Sequence, residues 1–155
     1  MKAIHWIIAA AAFAFVQAAQ AGVNDPEIII YRFPGVNDNG GADNTGIATV
    51  FFCTNFSGVT ENIRFVTRTD GGTLFGNVAF SINHLATKTA ATHNTLSHNS
   101  EVSLNALGVN QGTTAIAATS TNIICTAMVI DAGALAPIGV ALRGIRFSPV
   151  PGSQE

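Results

Sequence analysis

The chain has 155 residues, of which 7 are Lys or Arg and 9 are Asp or Glu, so its formal net charge at pH 7 is −2. The sequence contains no cluster of basic residues of the kind that binds DNA or RNA, and nucleic acid is therefore not an expected partner. A hydrophobic content of 48% in a chain of this length suits one domain with a substantial core.

The segment 1–21 has the features of a secretory signal peptide. Lys2 gives it a positive start, residues 4–16 are almost continuously apolar, and residues 19–21 read Ala-Gln-Ala, a small-x-small cleavage site. The apolar stretch is shorter than the roughly 20 residues of a membrane-spanning helix, and no later stretch is longer. We therefore predict an exported protein of the periplasm, cell surface or extracellular space. It has a removed signal at 1–21, one domain at 22–148 and a flexible tail at 149–155.

Short strand patterns separated by turn residues fill the first half of the remaining chain. The predicted strands cover residues 26–33, 47–55, 61–69 and 73–82, and a polar loop at 35–46 follows Pro34-Gly35. Strand 47–55 is apolar on both faces, which indicates a central, well-covered strand. In strand 61–69, Ile63 and Phe65 face one way and Arg64 and Arg68 the other. Gly76 indicates a bulge or a close backbone contact in the fourth strand.

The second half continues the same pattern. We predict a weak strand at 87–92, a polar loop at 93–100, a strand or one short helix at 101–108, and strands at 112–120, 121–131, 138–142 and 144–147. About eight or nine short strands without a good amphipathic helix favour an all-β, antiparallel two-sheet β-sandwich of Greek-key type. The architecture is immunoglobulin-like only in outline, because the one tryptophan, Trp6, lies in the signal.

The two cysteines, Cys53 and Cys125, lie in similar apolar strands and each precedes a threonine. Export places them in an oxidising compartment, so we predict one disulfide rather than two buried free thiols. Closing a loop of about 70 residues would stabilise the fold by about 4 kcal/mol in the chain-entropy model. The pattern leaves open whether the bridge joins neighbouring strands or crosses between the sheets.

Five segments form a recognisable set: Cys53-Thr54-Asn55-Phe56-Ser57-Gly58, Ile63-Arg64-Phe65, the polar region around His93, Ile124-Cys125-Thr126-Ala127 and Ile145-Arg146-Phe147. On these segments the chain from Gly35 to the C-terminus resembles small exported proteins of Gram-negative bacteria. The resemblance implies export and a shared β fold, and it supplies no activity and no site residues. The C-terminal stretch lacks the alternating apolar strand, with its aromatic near the end, of chaperone–usher pilins.

Two polar segments are candidate metal sites. His93 and His98 lie beside Glu101, although their spacing fits no standard motif and zinc or copper needs three or four converging ligands. The loop with Asp38, Asn39 and Asp43 is rich in oxygen ligands and glycine, as calcium loops are, but it lacks the EF-hand spacing and the closing glutamate. Solvated histidines and ordinary tight-loop composition are the alternatives. The sequence requires no cofactor, and calcium is the one that it suggests.

Arg64 and Arg68 are a candidate ligand face, because residues four apart on a strand point the same way at a separation of about 13 Å. They would suit an acidic partner or a sugar acid, or they form a solvated strand face that discourages aggregation. Asn55-Phe56-Ser57 is also a formal glycosylation sequon, although the bacterial resemblance argues against its use.

Three functions follow from these features. The first is a secreted, non-enzymatic sandwich that binds a glycan or a cell-surface component through its polar loops. The second is a structural subunit that self-associates through an exposed strand edge, which the apolar run Ile28-Ile29-Ile30 suggests. The third is a hydrolytic enzyme using His84, His93 or His98. It is the least favoured, because the chain has no Gly-x-Ser-x-Gly elbow and no His-Glu-x-x-His motif.

Overall fold

Ten strands in two five-stranded sheets form the part of the chain that this computed structural model describes, residues 22–147. The predicted signal peptide and the tail at 149–155 lie outside the described residues. The strands are β1 (Ile28–Val36), β2 (Ile47–Asn55), β3 (Glu61–Arg68), β4 (Leu74–Ile82), β5 (Thr87–Ala91), β6 (Val102–Ser103), β7 (Gly112–Ala118), β8 (Ile123–Asp131), β9 (Val140–Leu142) and β10 (Ile145–Arg146).

The two sheets confirm the predicted all-β sandwich. Sheet A has the order β10-β1-β7-β3-β4 and sheet B the order β6-β5-β2-β8-β9. Every pairing is antiparallel except that of β5 with β6. Most connections pass from one sheet to the other, so neighbouring strands within a sheet are mostly distant in sequence.

Alternating side chains explain why these segments form the two inner faces. In β3, Ile63 and Phe65 are buried, whereas Arg64 is half-buried and Arg68 exposed, as the pattern predicts. Aromatic rings join the sheets across the core. The ring of Phe51 in sheet B lies 5.5 Å from Phe33 and 5.5 Å from Phe65, both in sheet A. Phe51 is therefore the central contact between the two layers.

The two cysteine strands are neighbours in one sheet. Cys53 of β2 lies directly opposite Cys125 of β8, and the two form the predicted disulfide. The bridge therefore joins adjacent strands of sheet B and does not cross the sandwich. The strands β2 and β8 pair over the full length of both, from Ile47 opposite Asp131 to Asn55 opposite Ile123.

The structure differs from the sequence predictions at two points and decides a third that the sequence left open. Strand β1 does not end at Pro34 but continues to Val36, because a register shift between Pro34 and Val36 accommodates the missing proline N–H. The ambiguous segment 101–108 contains the two-residue strand β6 and no helix. The run Ile28-Ile29-Ile30 lies in a strand with two neighbours, because β1 has β7 on one side and β10 on the other. The short strand β10 pairs only with Tyr31 and Arg32, and Ile28 and Ile29 are exposed.

Glu61 is an unforeseen buried group at the start of β3. Its side chain is fully buried, and one carboxyl oxygen accepts a hydrogen bond from the Thr119 hydroxyl. The other oxygen, Oε1, has no hydrogen-bond partner among the described residues. A buried carboxyl with an unfilled acceptor is costly, so this end of the core is a weak point of the sandwich.

Candidate functional site

A polar loop between β5 and β6, residues 93–101, folds over the outer face of sheet B and is called the flap below. Its Leu96 N–H donates to the carbonyl of Ala132 over 2.8 Å, and the His98 ring lies 5.3 Å from the ring of Phe52. Beneath it, Val50 and Ile130 form a small apolar cluster separate from the main core. This second cluster explains why β2 is apolar on both faces.

A buried pair anchors the base of the flap. Nδ1 of His93 lies 2.6 Å from Oδ2 of Asp38, and Nε2 of His93 lies 3.0 Å from the carbonyl oxygen of Thr45. The side chains of His93 and Asp38 are 1% and 0% exposed. A carbonyl oxygen only accepts, so Nε2 of His93 donates to Thr45, and Nδ1 shares a hydrogen bond with the Asp38 carboxyl group. Both ring nitrogens of His93 are therefore occupied.

The other oxygen of Asp38 connects one further loop to this pair. Oδ1 accepts hydrogen bonds from the N–H groups of Gly40 over 2.8 Å and Gly108 over 2.9 Å. Burial alone would raise the pKa of Asp38, but hydrogen bonds from Gly108, Thr92, His93 and Gly40 together hold that pKa below its ordinary value. Asp38 is thus an ionised group that joins its own loop, the flap and the loop that contains Gly108.

Glu101 closes the flap on itself. One of its carboxyl oxygens accepts from the backbone N–H of Thr95, and the other accepts from the Thr95 hydroxyl over 3.0 Å. Nδ1 of His98 lies 2.8 Å from the Ser97 hydroxyl and 3.2 Å from the Thr95 hydroxyl. These bonds give the flap a fixed shape although it contains no regular secondary structure.

Two adjoining clefts border the flap and meet at His98, Asn99 and Glu101. The first has a volume of about 380 Å³ and the second about 300 Å³. The first is lined by Asn44, Asn94, Thr95, Leu96, His98, Asn99 and Glu101, and the second by Thr87, Lys88, Thr89, His98, Asn99, Ser100 and Glu101. Leu96 is the one aliphatic side chain in this lining. The two clefts, called the flap clefts, form the candidate site.

The candidate calcium residues each have a different protein partner. Asp38 is buried against His93, Oδ1 of Asn39 accepts from the Ile47 N–H over 2.9 Å, and Asp43 accepts from Asn94 over 2.9 Å. Across residues 22–147 no three His, Cys, Asp or Glu side chains are grouped as a metal ion would require. The arrangement disfavours a calcium site built on Asp38, and likewise a metal site on His93, whose ring nitrogens are both engaged.

The two arginines share a face, as predicted, but both are already engaged. Arg64 forms a two-point ion pair with Glu27, with N···O distances of 2.6 Å and 3.2 Å, and this hydrogen bonding raises the pKa of Arg64. A nitrogen of Arg68 donates to the Gly72 carbonyl over 2.9 Å. An acidic ligand would therefore compete with Glu27, which makes this face a weaker candidate than the flap clefts.

The remaining sequence candidates have structural roles. The side-chain nitrogen of Asn55, the sequon residue, donates to the carbonyls of Val59 over 2.7 Å and Ile82 over 2.8 Å, and Asn55 is fully buried. Glycosylation of the folded protein at Asn55 would replace one of the two donating hydrogens and would place a sugar at a fully buried side chain. Nδ1 of His84 accepts from the Gly58 N–H over 3.0 Å and so supports a turn.

Comparison with protein-family models, with curated proteins and with solved structures gives no match for this chain. The resemblance to exported bacterial proteins therefore stays a prediction. No helix of the described residues has the length and apolar character needed to cross a membrane.

Sequence reasoning identified His98 and the region around Glu101 but missed Asn99, Lys88 and Thr95 as neighbours in one site. The flap and β5 are adjacent in sequence, so the sequence alone could have predicted that they lie close together. The sequence feature that could have shown this is the polar segment that directly follows β5. The neighbouring strand β2 is apolar on both faces, so its outer face must be covered by another segment.

Proposed function

We propose that this protein is an exported, non-enzymatic binding module that holds a hydroxyl-rich ligand, a glycan, in the flap clefts. The observation that carries the proposal is the lining of the two clefts by amide, hydroxyl, imidazole, ammonium and carboxyl groups with a single aliphatic side chain. Sites for drug-like ligands are mostly apolar, so the first cleft, whose exposed lining is mostly polar, favours a polar ligand.

The chemistry of the lining matches the hydrogen-bonding pattern of a sugar. A sugar hydroxyl both donates and accepts, and side-chain amides and hydroxyls offer both functions in a small volume. Asn99 and Ser100 are exposed, whereas Thr95 is almost fully buried behind them. The closed bonding of Glu101 to Thr95 holds these groups in place before a ligand arrives, which reduces the entropy lost on binding.

The contacts of His98 support a binding role over catalysis. A nucleophile–base pair needs a third group that orients the base, and the carboxyl oxygens of Glu101 instead accept from Thr95. The Ser97–His98 contact of 2.8 Å therefore stands without an orienting carboxylate from Glu101. The disulfide between Cys53 and Cys125 agrees with export to an oxidising compartment.

The test is a glycan array of neutral and acidic oligosaccharides, followed by calorimetric titration of any oligosaccharide that binds. Asn99→Ala removes an exposed amide shared by both clefts and is expected to weaken binding at least tenfold with an unchanged unfolding midpoint. Asn110→Ala, which removes an exposed amide outside the clefts, is the matched control and should leave the affinity unchanged. Binding that Asn99→Ala and Asn110→Ala affect equally would contradict the proposal, and so would an array without a single binder.

A further inference from the structure

Strand β4 is the long free edge of the sandwich. The four edge strands are β10 and β4 in sheet A and β6 and β9 in sheet B. β4 has 9 residues, whereas β6 and β10 have 2 each and β9 has 3. Apart from the ladder with β3, no backbone N–H or carbonyl of residues 76–81 takes part in a backbone hydrogen bond within the described chain.

This edge lacks the usual protection against strand pairing. Proteins blunt exposed edges with charged residues, proline, bulges or very short strands. Residues 76–82 contain no charged residue and no proline, and the one register shift with β3 lies before them, at Leu74–Gly76. The regular part of the strand is therefore open over about 24 Å, at about 3.4 Å per residue.

The main core is incompletely covered beside the same edge. Val78 and Phe80 point inward and pack against the core, with the Phe80 ring stacked 5.6 Å from Phe65. Both nevertheless stay half-buried, whereas Phe65 on the neighbouring strand is 1% exposed. A further strand beside β4 would complete the burial of Val78 and Phe80, and this burial is favourable.

We propose that β4 pairs with β4 of a second copy of this chain, antiparallel and about a two-fold axis at Ala79. In that register Val78 lies opposite Phe80 of the second copy, and Asn77 lies opposite its Ser81. The inward row is then apolar against apolar and the outward row polar against polar, while the small Ala79 side chains meet at the axis. The sequence of the edge is thus complementary to itself, and no like charges oppose each other.

The size of the contact sets its strength. A strip about 24 Å long and about 10 Å thick covers on the order of 240 Å² per copy, well below the roughly 800 Å² per partner of a standard interface. An antiparallel ladder of this length makes roughly 6–8 main-chain hydrogen bonds. The expected result is a weak dimer whose population rises with protein concentration. The self-associating alternative then rests on β4, not on the isoleucine run of β1.

The test is sedimentation velocity of the purified protein from about 1 µM to 500 µM, a range suited to weak interfaces. Ala79→Lys and Ala79→Glu each place like charges opposite one another at the axis. Ala79 is exposed, so the monomer should keep its unfolding midpoint. Each variant should weaken association at least tenfold, and an equal mixture of the two should restore it. Thr113→Glu is the control, because Thr113 is exposed on β7, an interior strand of the same sheet.

Restoration by the mixture would support the proposal. The two variants place opposite charges next to each other only when position 79 of one copy faces position 79 of the other. A protein that stays monomeric to 500 µM would overturn the proposal, even if its edge strand binds an extended segment of another protein. Association that Ala79→Lys leaves unchanged, or a mixture that fails to associate, would also overturn it.

Discussion

The buried pair between Asp38 and His93 should be the most sensitive polar contact of the fold. Asp38→Asn keeps an oxygen for the N–H groups of Gly40 and Gly108 but replaces the carboxylate oxygen that faces His93 with an NH2 group. The change removes the buried negative charge that faces the His93 ring and puts a group that cannot accept a hydrogen bond in its place. Breaking a buried pair by removing one partner costs about 3–5 kcal/mol. We expect the low end, about 3 kcal/mol, because the backbone bonds remain.

Urea unfolding measures this loss directly. With a slope of about 1–3 kcal/mol per molar urea, a loss of about 3 kcal/mol lowers the midpoint by roughly 1–3 M. A protein of this size has a total stability of about 5–15 kcal/mol, so the variant should still fold. Asp43→Asn is the matched control. Asp43 is an exposed aspartate of the same loop with one side-chain partner, Asn94, and its loss should change the free energy of unfolding by less than about 0.5 kcal/mol.

A double-mutant cycle with His93→Gln separates the pair from its surroundings. If Asp38 and His93 stabilise the fold through each other, the cost of the double variant should fall short of the summed single costs by about 0.5–3 kcal/mol. Additive costs would refute the ion-pair argument. So would an Asp38→Asn variant with the midpoint of Asp43→Asn, since the carboxylate would then contribute no more than a surface group.

Two further predictions concern pH and the disulfide. The pKa of Asp38 is lower in the fold than its ordinary value of 3.8, so its contribution to stability is present above that value and is lost as pH falls through the lower, folded pKa. Wild type should therefore lose stability more steeply than Asp38→Asn as pH falls below 3.8, as followed by urea midpoints, and parallel curves would contradict this. For the disulfide, the intact protein should gain no mass with an alkylating reagent in the absence of reductant. Cys53→Ser combined with Cys125→Ser should lower the free energy of unfolding by about 2–4 kcal/mol, and an unchanged urea midpoint would count against it.

Local patterns were sufficient to predict the strands. The bounds of β2 match the predicted 47–55, because apolar continuity and the flanking glycines and asparagines are properties of the segment itself. Gly76 also behaves as predicted. It adjoins the register shift in β4, and a Cβ there would lie 2.8 Å from the Leu104 carbonyl oxygen.

Long-range placement was beyond the sequence. His93 and Asp38 are 55 residues apart and belong to loops whose composition is ordinary for turns, so no local signal connects them. The prediction that β1 forms an edge strand was wrong for the same reason. Ile28-Ile29-Ile30 is conspicuous for its hydrophobicity. Whether a strand lies inside a sheet, however, depends on strands that follow much later in the sequence, here β7 and the two-residue β10. Burial of Glu61 also follows only from the complete sandwich.

The disulfide between β2 and β8 also determines how the domain bears mechanical force. Because Cys53 and Cys125 are 72 residues apart, the bridge removes the chain between them from the load path when the two termini are pulled. At up to about 3.5 Å per residue, the bridge prevents about 250 Å of chain extension. Strands β3 to β7 and the flap lie entirely inside the bridged loop. Tension can therefore peel away β1, β9 and β10, but the bridge keeps it from pulling out the segment that contains the flap.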